Sequence, residues 1–137
     1  MAKSKVKAYP RHLKVLMAEK TKVLSQAQAL SEIGIKDATQ PLWTSAASYE
    51  ERIAPLLDAL GRELEAAAHR ISAASCYRKA GDLSRAANLY RAALASPLRD
   101  GTRRDVTQML SDCLAMLTTG SGAAATDRRI RKLTATV

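Results

Sequence analysis

At 137 residues the chain has the length of one domain, enough to bury a modest core without metal or disulfide staples. Apolar residues make up 47%, yet there is no Phe and aromatics reach only 4%, so the core has to be built from Ala and Leu with a few Met, Ile and Val, a composition that favours closely packed helices over sheets. The net charge of +9 sits at the ends: residues 1–22 carry +6 and 127–137 carry +3, while 23–126 hold equal numbers of acids and bases, so an electrostatic partner meets the termini rather than the body.

Residues 1–9 are basic and without periodicity, and read as a flexible arm. Pro10 stands where a first helical residue belongs, and Leu13, Leu16, Met17, Val23, Leu24, Ala27 and Leu30 follow at spacings of three and four. This predicts an amphipathic helix of about six turns at 3.6 residues per turn. Gly34 is placed to end it in a left-handed cap, with Ile35 folding back on Leu30. From Lys36 to Thr44 the presence of Pro41 and the lone Trp43 suggests irregular chain, and Ser48 with Glu51 reads as a capping box whose helix Pro55 ends or kinks. Beyond Pro55 the stripe Leu57, Leu60, Leu64, Ala67, Ala68, Ile71, Ala74 crosses Gly61 in phase, so one helix over 55–80 is the simplest expectation.

Gly81-Asp82 breaks that helix, and Asp82 can cap the next, which carries Leu83, Ala86, Ala87, Tyr90, Ala93 and Leu94 before Pro97. A last helix is expected from Thr102 and Asp105, with Val106, Met109, Leu110, Cys113, Leu114 and Leu117 inward. The segment 119–137 reads as a small-residue linker followed by a basic tail. No segment alternates with period two. The expected fold is therefore all-α, a bundle of four or five helices forming one domain over 10–118, with a helical hairpin at 55–97.

The stretch Ile71–Pro97, ISAASCYRKAGDLSRAANLYRAALASP, resembles a tetratricopeptide repeat. It has small residues at Ala73, Ala74 and Ala86, aromatics at Tyr77 and Tyr90, and Gly81 at the turn, where the small residues let two helices approach while the tyrosines fill the space beside them. Arg70 stands where the family places a large aromatic, Pro97 comes one residue early, and no second copy lies 34 residues back, so the likeness is to one unit and not to an array. The three-helix microtubule-interacting-and-transport type of domain is a rival likeness, sharing the hairpin and adding a third helix such as 102–118. By the tetratricopeptide resemblance the first helix lines a partner-binding face, here Ala68, Ile71, Ser75, Arg78 and Lys79, with the two cations suited to an acidic peptide or a terminal carboxylate. Both cations are equally placed to serve only the helix dipole.

The chemistry-bearing residues point away from catalysis. Cys76 and Cys113 lie in apolar helical patterns without CxxC spacing, and His12 and His69 add no paired-ligand motif, so neither metal nor cofactor is expected and the thiols suit a reducing cytoplasm. Glu50, Glu51, Asp58, Glu63, Glu65 and Asp112 fall at positions read as exposed, with Glu65 and His69 as an i,i+4 contact, so no enzyme is expected. Trp43, with Tyr49, reads as closing the core edge rather than as a binding platform. No apolar run reaches the length of a membrane span, and no signal core follows Lys3, Lys5 and Lys7. Those lysines, with Arg11 and Lys14, form one candidate nucleic-acid contact, and Arg128, Arg129, Arg131 and Lys132 a second. The expected function is non-catalytic protein–protein binding, as an adaptor or assembly component taking a peptide or helix of a partner. The alternatives are a nucleic-acid-associated protein acting through its basic ends and a structural subunit of a homo-oligomer.

Overall fold

A computed structural model describes residues 8–121. It is an all-α bundle of five helices: α1 (Arg11–Glu32), α2 (Lys36–Ala59), α3 (Glu63–Ala80), α4 (Leu83–Leu94) and α5 (Asp100–Ala115), followed by a π-type turn, Met116–Ser121. No strand occurs among the described residues. Close backbone packing among the helices runs between sequence neighbours, α1 on α2, α2 on α3, α3 on α4 and α4 on α5.

α1 ends as its sequence predicts. Gly34 adopts φ +79°, the Ile35 N–H donates to the Leu30 carbonyl (3.1 Å) and the Gly34 N–H to that of Ser31 (3.0 Å), the paired bonds of a Schellman cap. Pro10 precedes the helix by one position, and its carbonyl accepts the first helical N–H groups. Ala8 and Tyr9, expected in the flexible arm, are tied to the start of α3: Arg62 Nη2 donates to the Ala8 carbonyl (2.9 Å) and Tyr9 Oη to Glu65 Oε2 (2.6 Å).

The expectation of irregular chain over 36–44 is corrected by α2, which starts at Lys36 and runs through both Pro41 and Pro55. Its buried positions, Thr39, Trp43, Ala46, Ala47, Glu50, Ile53, Ala54 and Leu57, repeat at three and four across the whole 24 residues. An interior proline costs a helix about 3 kcal/mol or more. Burying Trp43, Ile53 and Leu57 against α1 and α3 contributes about 1.5–3 kcal/mol each, of the size needed to hold the helix through its prolines.

The single helix expected over 55–80 is likewise corrected. The chain reverses at Gly61 (φ +77°), where the Arg62 N–H donates to the Leu57 carbonyl and the Gly61 N–H to that of Asp58, both at 2.9 Å. Leu60 and Leu64, placed in the inward stripe by phase, are instead exposed. The hairpin about Gly81 is therefore α3–α4, with Gly81 at φ +90° and Asp82 Oδ1 accepting from the Arg85 N–H (3.2 Å) as the N-cap of α4. Ala73, Ala74, Ala86, Ala87 and Ala93 are buried between the two helices and their neighbours, with Tyr77 and Tyr90 beside them.

α5 begins two residues before the expected Thr102. Arg103 reaches back to the end of α4, where Nη1 and Nη2 donate to the Leu94 (2.9 Å) and Ser96 (3.1 Å) carbonyls. Val106 and Cys113 face the core as expected.

The hairpin turn gives a direct test. A Cβ at Gly81 meets nothing closer than 3.6 Å, so the cost of Gly81→Val is set by the left-handed backbone and not by space. Gly81→Val should lower stability by about 1–2 kcal/mol. Ala86→Leu, at a fully buried contact, should lower it by about 1–3 kcal/mol, both read by urea denaturation.

Candidate functional site

α3 packs closely on α2 and α4, and among the described residues no helix is closely packed over its opposite face. Ala66, Ala67, Ala73, Ala74, Cys76 and Tyr77 face inward, whereas Leu64, Ala68, Ser72 and Lys79 are exposed and Ile71, Ser75 and Arg78 half-buried. Of the five residues expected on a partner face, Ala68, Ile71, Ser75 and Lys79 line recesses on this side and Arg78 does not. The two cations diverge, however. Lys79 Nζ lies 4.5 Å from the centre of the Trp43 ring on α2, while Arg78 turns the other way, its Nη2 3.9 Å from Met116 Sδ beyond α5.

Three recesses adjoin this side of α3, the first meeting it only at Lys79. The largest, about 760 Å³, opens between the end of α1 and the start of α2, where Gln28, Lys36, Gln40, Trp43 and Lys79 form its wall. A second, about 200 Å³, shares Gln28, Trp43 and Lys79 with it and continues past Ser75 and Ile71 to Leu24. A third, about 140 Å³, runs from Ile71 past Ala68 and Leu64 to Leu98 and Arg99. Between Leu64 and Lys79 this surface is about 22 Å long at 1.5 Å per residue. Ser75 and Tyr90 share a hydrogen bond of 3.0 Å, so the middle of the face is tied to a buried side chain of α4.

Beneath it lies a polar layer that sequence reasoning missed. Glu50 was expected to be exposed, but only 2% of it reaches solvent. Its Oε1 lies 2.5 Å from His69 Nδ1 on α3 and its Oε2 3.7 Å from Lys20 Nζ on α1. The i,i+4 contact expected between Glu65 and His69 is not made; His69 turns to Glu50, and Glu65 engages Tyr9 and Arg62. A hint was present in the sequence: Glu50 falls in the inward register with Trp43, Ala46, Ala47, Ile53 and Leu57 once α2 is drawn through its prolines.

The thiols are built for packing rather than reaction. Burial, reinforced by Glu50, pushes the Cys76 thiol up from 9.0 to about 11. Burial also raises the Cys113 thiol, whose Sγ donates to the Leu83 carbonyl (3.3 Å). Desolvation, followed by its hydrogen bond to Glu51 (2.6 Å), raises the Tyr77 hydroxyl. Among the described residues no three His, Cys, Asp or Glu side chains gather as a metal site would require, and no helix is long and apolar enough to cross a membrane. Of the candidate nucleic-acid residues, Arg11 and Lys14 lie exposed on α1. Lys3, Lys5, Lys7, Arg128, Arg129, Arg131 and Lys132 lie outside the described residues.

Two outcomes follow from the buried groups. Glu50→Ala leaves two cationic or polar partners facing an apolar space, and because each is about one-fifth exposed the loss should fall toward the lower end of about 3–5 kcal/mol, measured by urea denaturation. Glu50→Met combined with His69→Leu should recover most of that loss, since an apolar replacement orphans less. The folded state holds the Cys76 proton more tightly than the unfolded chain, so stability should fall as pH rises from about 9 to about 11, and Cys76→Ala should flatten that slope.

No protein-family model matches the chain, and no curated protein and no solved structure matches it.

Proposed function

We propose that the protein is a non-catalytic interaction module, an adaptor or assembly component that takes a peptide or helix of a partner along the open side of α3. The observation that carries this reading is the row of recesses from Trp43 and Lys79 to Leu64 and Arg99, which runs along α3 between walls from α1 and α2 at one end and from Leu98, Arg99 and Thr102 at the other. Apolar side chains left at a concave surface favour association because their burial releases water. The likeness of Ile71–Pro97 to a tetratricopeptide unit agrees with the reading, since that family's first helix lines its ligand face. The Glu50 layer below the groove supports it as well, because a partner's affinity is greater where the receiving surface is held in place beforehand.

The alternative that the basic ends grip nucleic acid makes a different demand, on Arg11 and Lys14 rather than on α3. Tagged full-length protein purified from its native cell separates the two. Ala68→Arg, which sets a long cation on the exposed ridge, should reduce the co-purifying partner by about tenfold or more, equivalent to about 1.4 kcal/mol. Arg11→Glu with Lys14→Glu should leave it unchanged. Loss of bound nucleic acid in the second variant, with no change in the first, would transfer the function to the ends.

A further inference from the structure

The charge of the groove, taken with its apolar floor, narrows the partner further. Lys36 and Lys79 stand at one end and Arg99 at the other, and among the described residues none of the three is paired with a carboxylate. The acids nearby do not balance them: Glu50 is buried and engaged by His69 and Lys20, which leaves Glu32 as the one other acid on these walls. Between the cations lie Leu64, Ala68, Ile71 and Ser75, at spacings of four, three and four along α3. Such a row presents ridges and gaps to a helix laid across it, and its two small members allow close approach.

We infer that the open side of α3 receives an acidic amphipathic helix of another protein, with apolar side chains seated along Leu64, Ala68 and Ile71 and flanking carboxylates meeting Lys36, Lys79 and Arg99. This inference rests on the interaction-module reading and names the partner class. A helix of about 15 residues covers the 22 Å of surface at about 1.5 Å per residue. Charge decides against occupants from the chain itself. Residues 1–9 carry Lys3, Lys5 and Lys7 with no acid, and 127–137 carry four cations against Asp127, so both ends bring the wrong sign to a cationic groove. A second copy laid face to face on the groove would set Lys36, Lys79 and Arg99 against the same cations, and is disfavoured for the same reason.

Three fluorescent 16-residue helical peptides, sharing one leucine stripe and carrying Glu, Gln or Lys on both flanks, test this against the full-length protein by anisotropy. The Glu peptide should bind about tenfold or more tightly than the Gln peptide, with an advantage that shrinks as added salt screens exposed charges. Lys79→Glu with Arg99→Glu, both at exposed positions, should reverse the order so that the Lys peptide binds best. Ala68→Arg should weaken every peptide, with the circular dichroism unchanged. Equal binding of the Glu and Gln peptides, still lost in Ala68→Arg, would overturn the acidic partner and leave the interaction module standing. Failure of all three peptides to bind at about 100 µM, a threshold near −5 kcal/mol, would overturn both.

Discussion

Glu50 is the constraint around which the first three helices are arranged. It comes from α2 and is almost wholly removed from water, with His69 of α3 on one carboxylate oxygen and Lys20 of α1 on the other. The layer divides the interior into two apolar clusters. On one side are Leu13, Leu16, Ile53, Leu57 and Ala66; on the other are Ala27, Trp43, Ala47, Ala73 and their neighbours in α4 and α5. A core made largely of Ala and Leu has few features that distinguish one helix register from the next. A buried carboxylate held by His69 and Lys20 supplies that distinction, because sliding any of the three helices by one turn orphans a charge at a cost far above that of shifting an alanine.

The same arrangement explains why a surface is left open. Each helix packs closely on its neighbours in sequence, so α3 is held by α2 and α4, and among the described residues no helix is closely packed over its other face, which α1 and the start of α5 only flank. The residues on that free side are not arbitrary leftovers. Ile71 is half-buried against the core, Ser75 shares a hydrogen bond with Tyr90, and Lys79 lies over Trp43. The groove is thus attached to two buried features of the interior, the polar layer and the alanine-rich contact of α3 with α4, which suits a surface that binds without rearranging.

Much of the candidate face was legible because it depends on helix phase alone: Ala68, Ile71, Ser75 and Lys79 share a side of any helix that contains them. Their depth was not legible, nor was the direction of Arg78, which the end of α5 draws toward Met116 and away from Lys79. The other wall of the groove was missed because it comes from Trp43 and Lys36 on α2, in a stretch whose proline and isolated tryptophan read locally as irregular.

The sequence by itself determined the all-α class, the neutral body with basic ends, the glycine cap closing α1, and the Gly81-Asp82 turn with its capping aspartate, since each depends on composition or on residues within about one helical turn of each other. Only the tertiary structure decided that Pro41 and Pro55 stay inside a helix while Gly61 ends one, and that Glu50 goes inward to meet His69 and Lys20. An apolar stripe keeps the same phase through a tight reversal as through a continuous helix, so periodicity cannot tell the two apart. The choice is made by burial and charge pairing between residues distant in the chain, whose free energy exceeds the local preferences of a single proline or glycine.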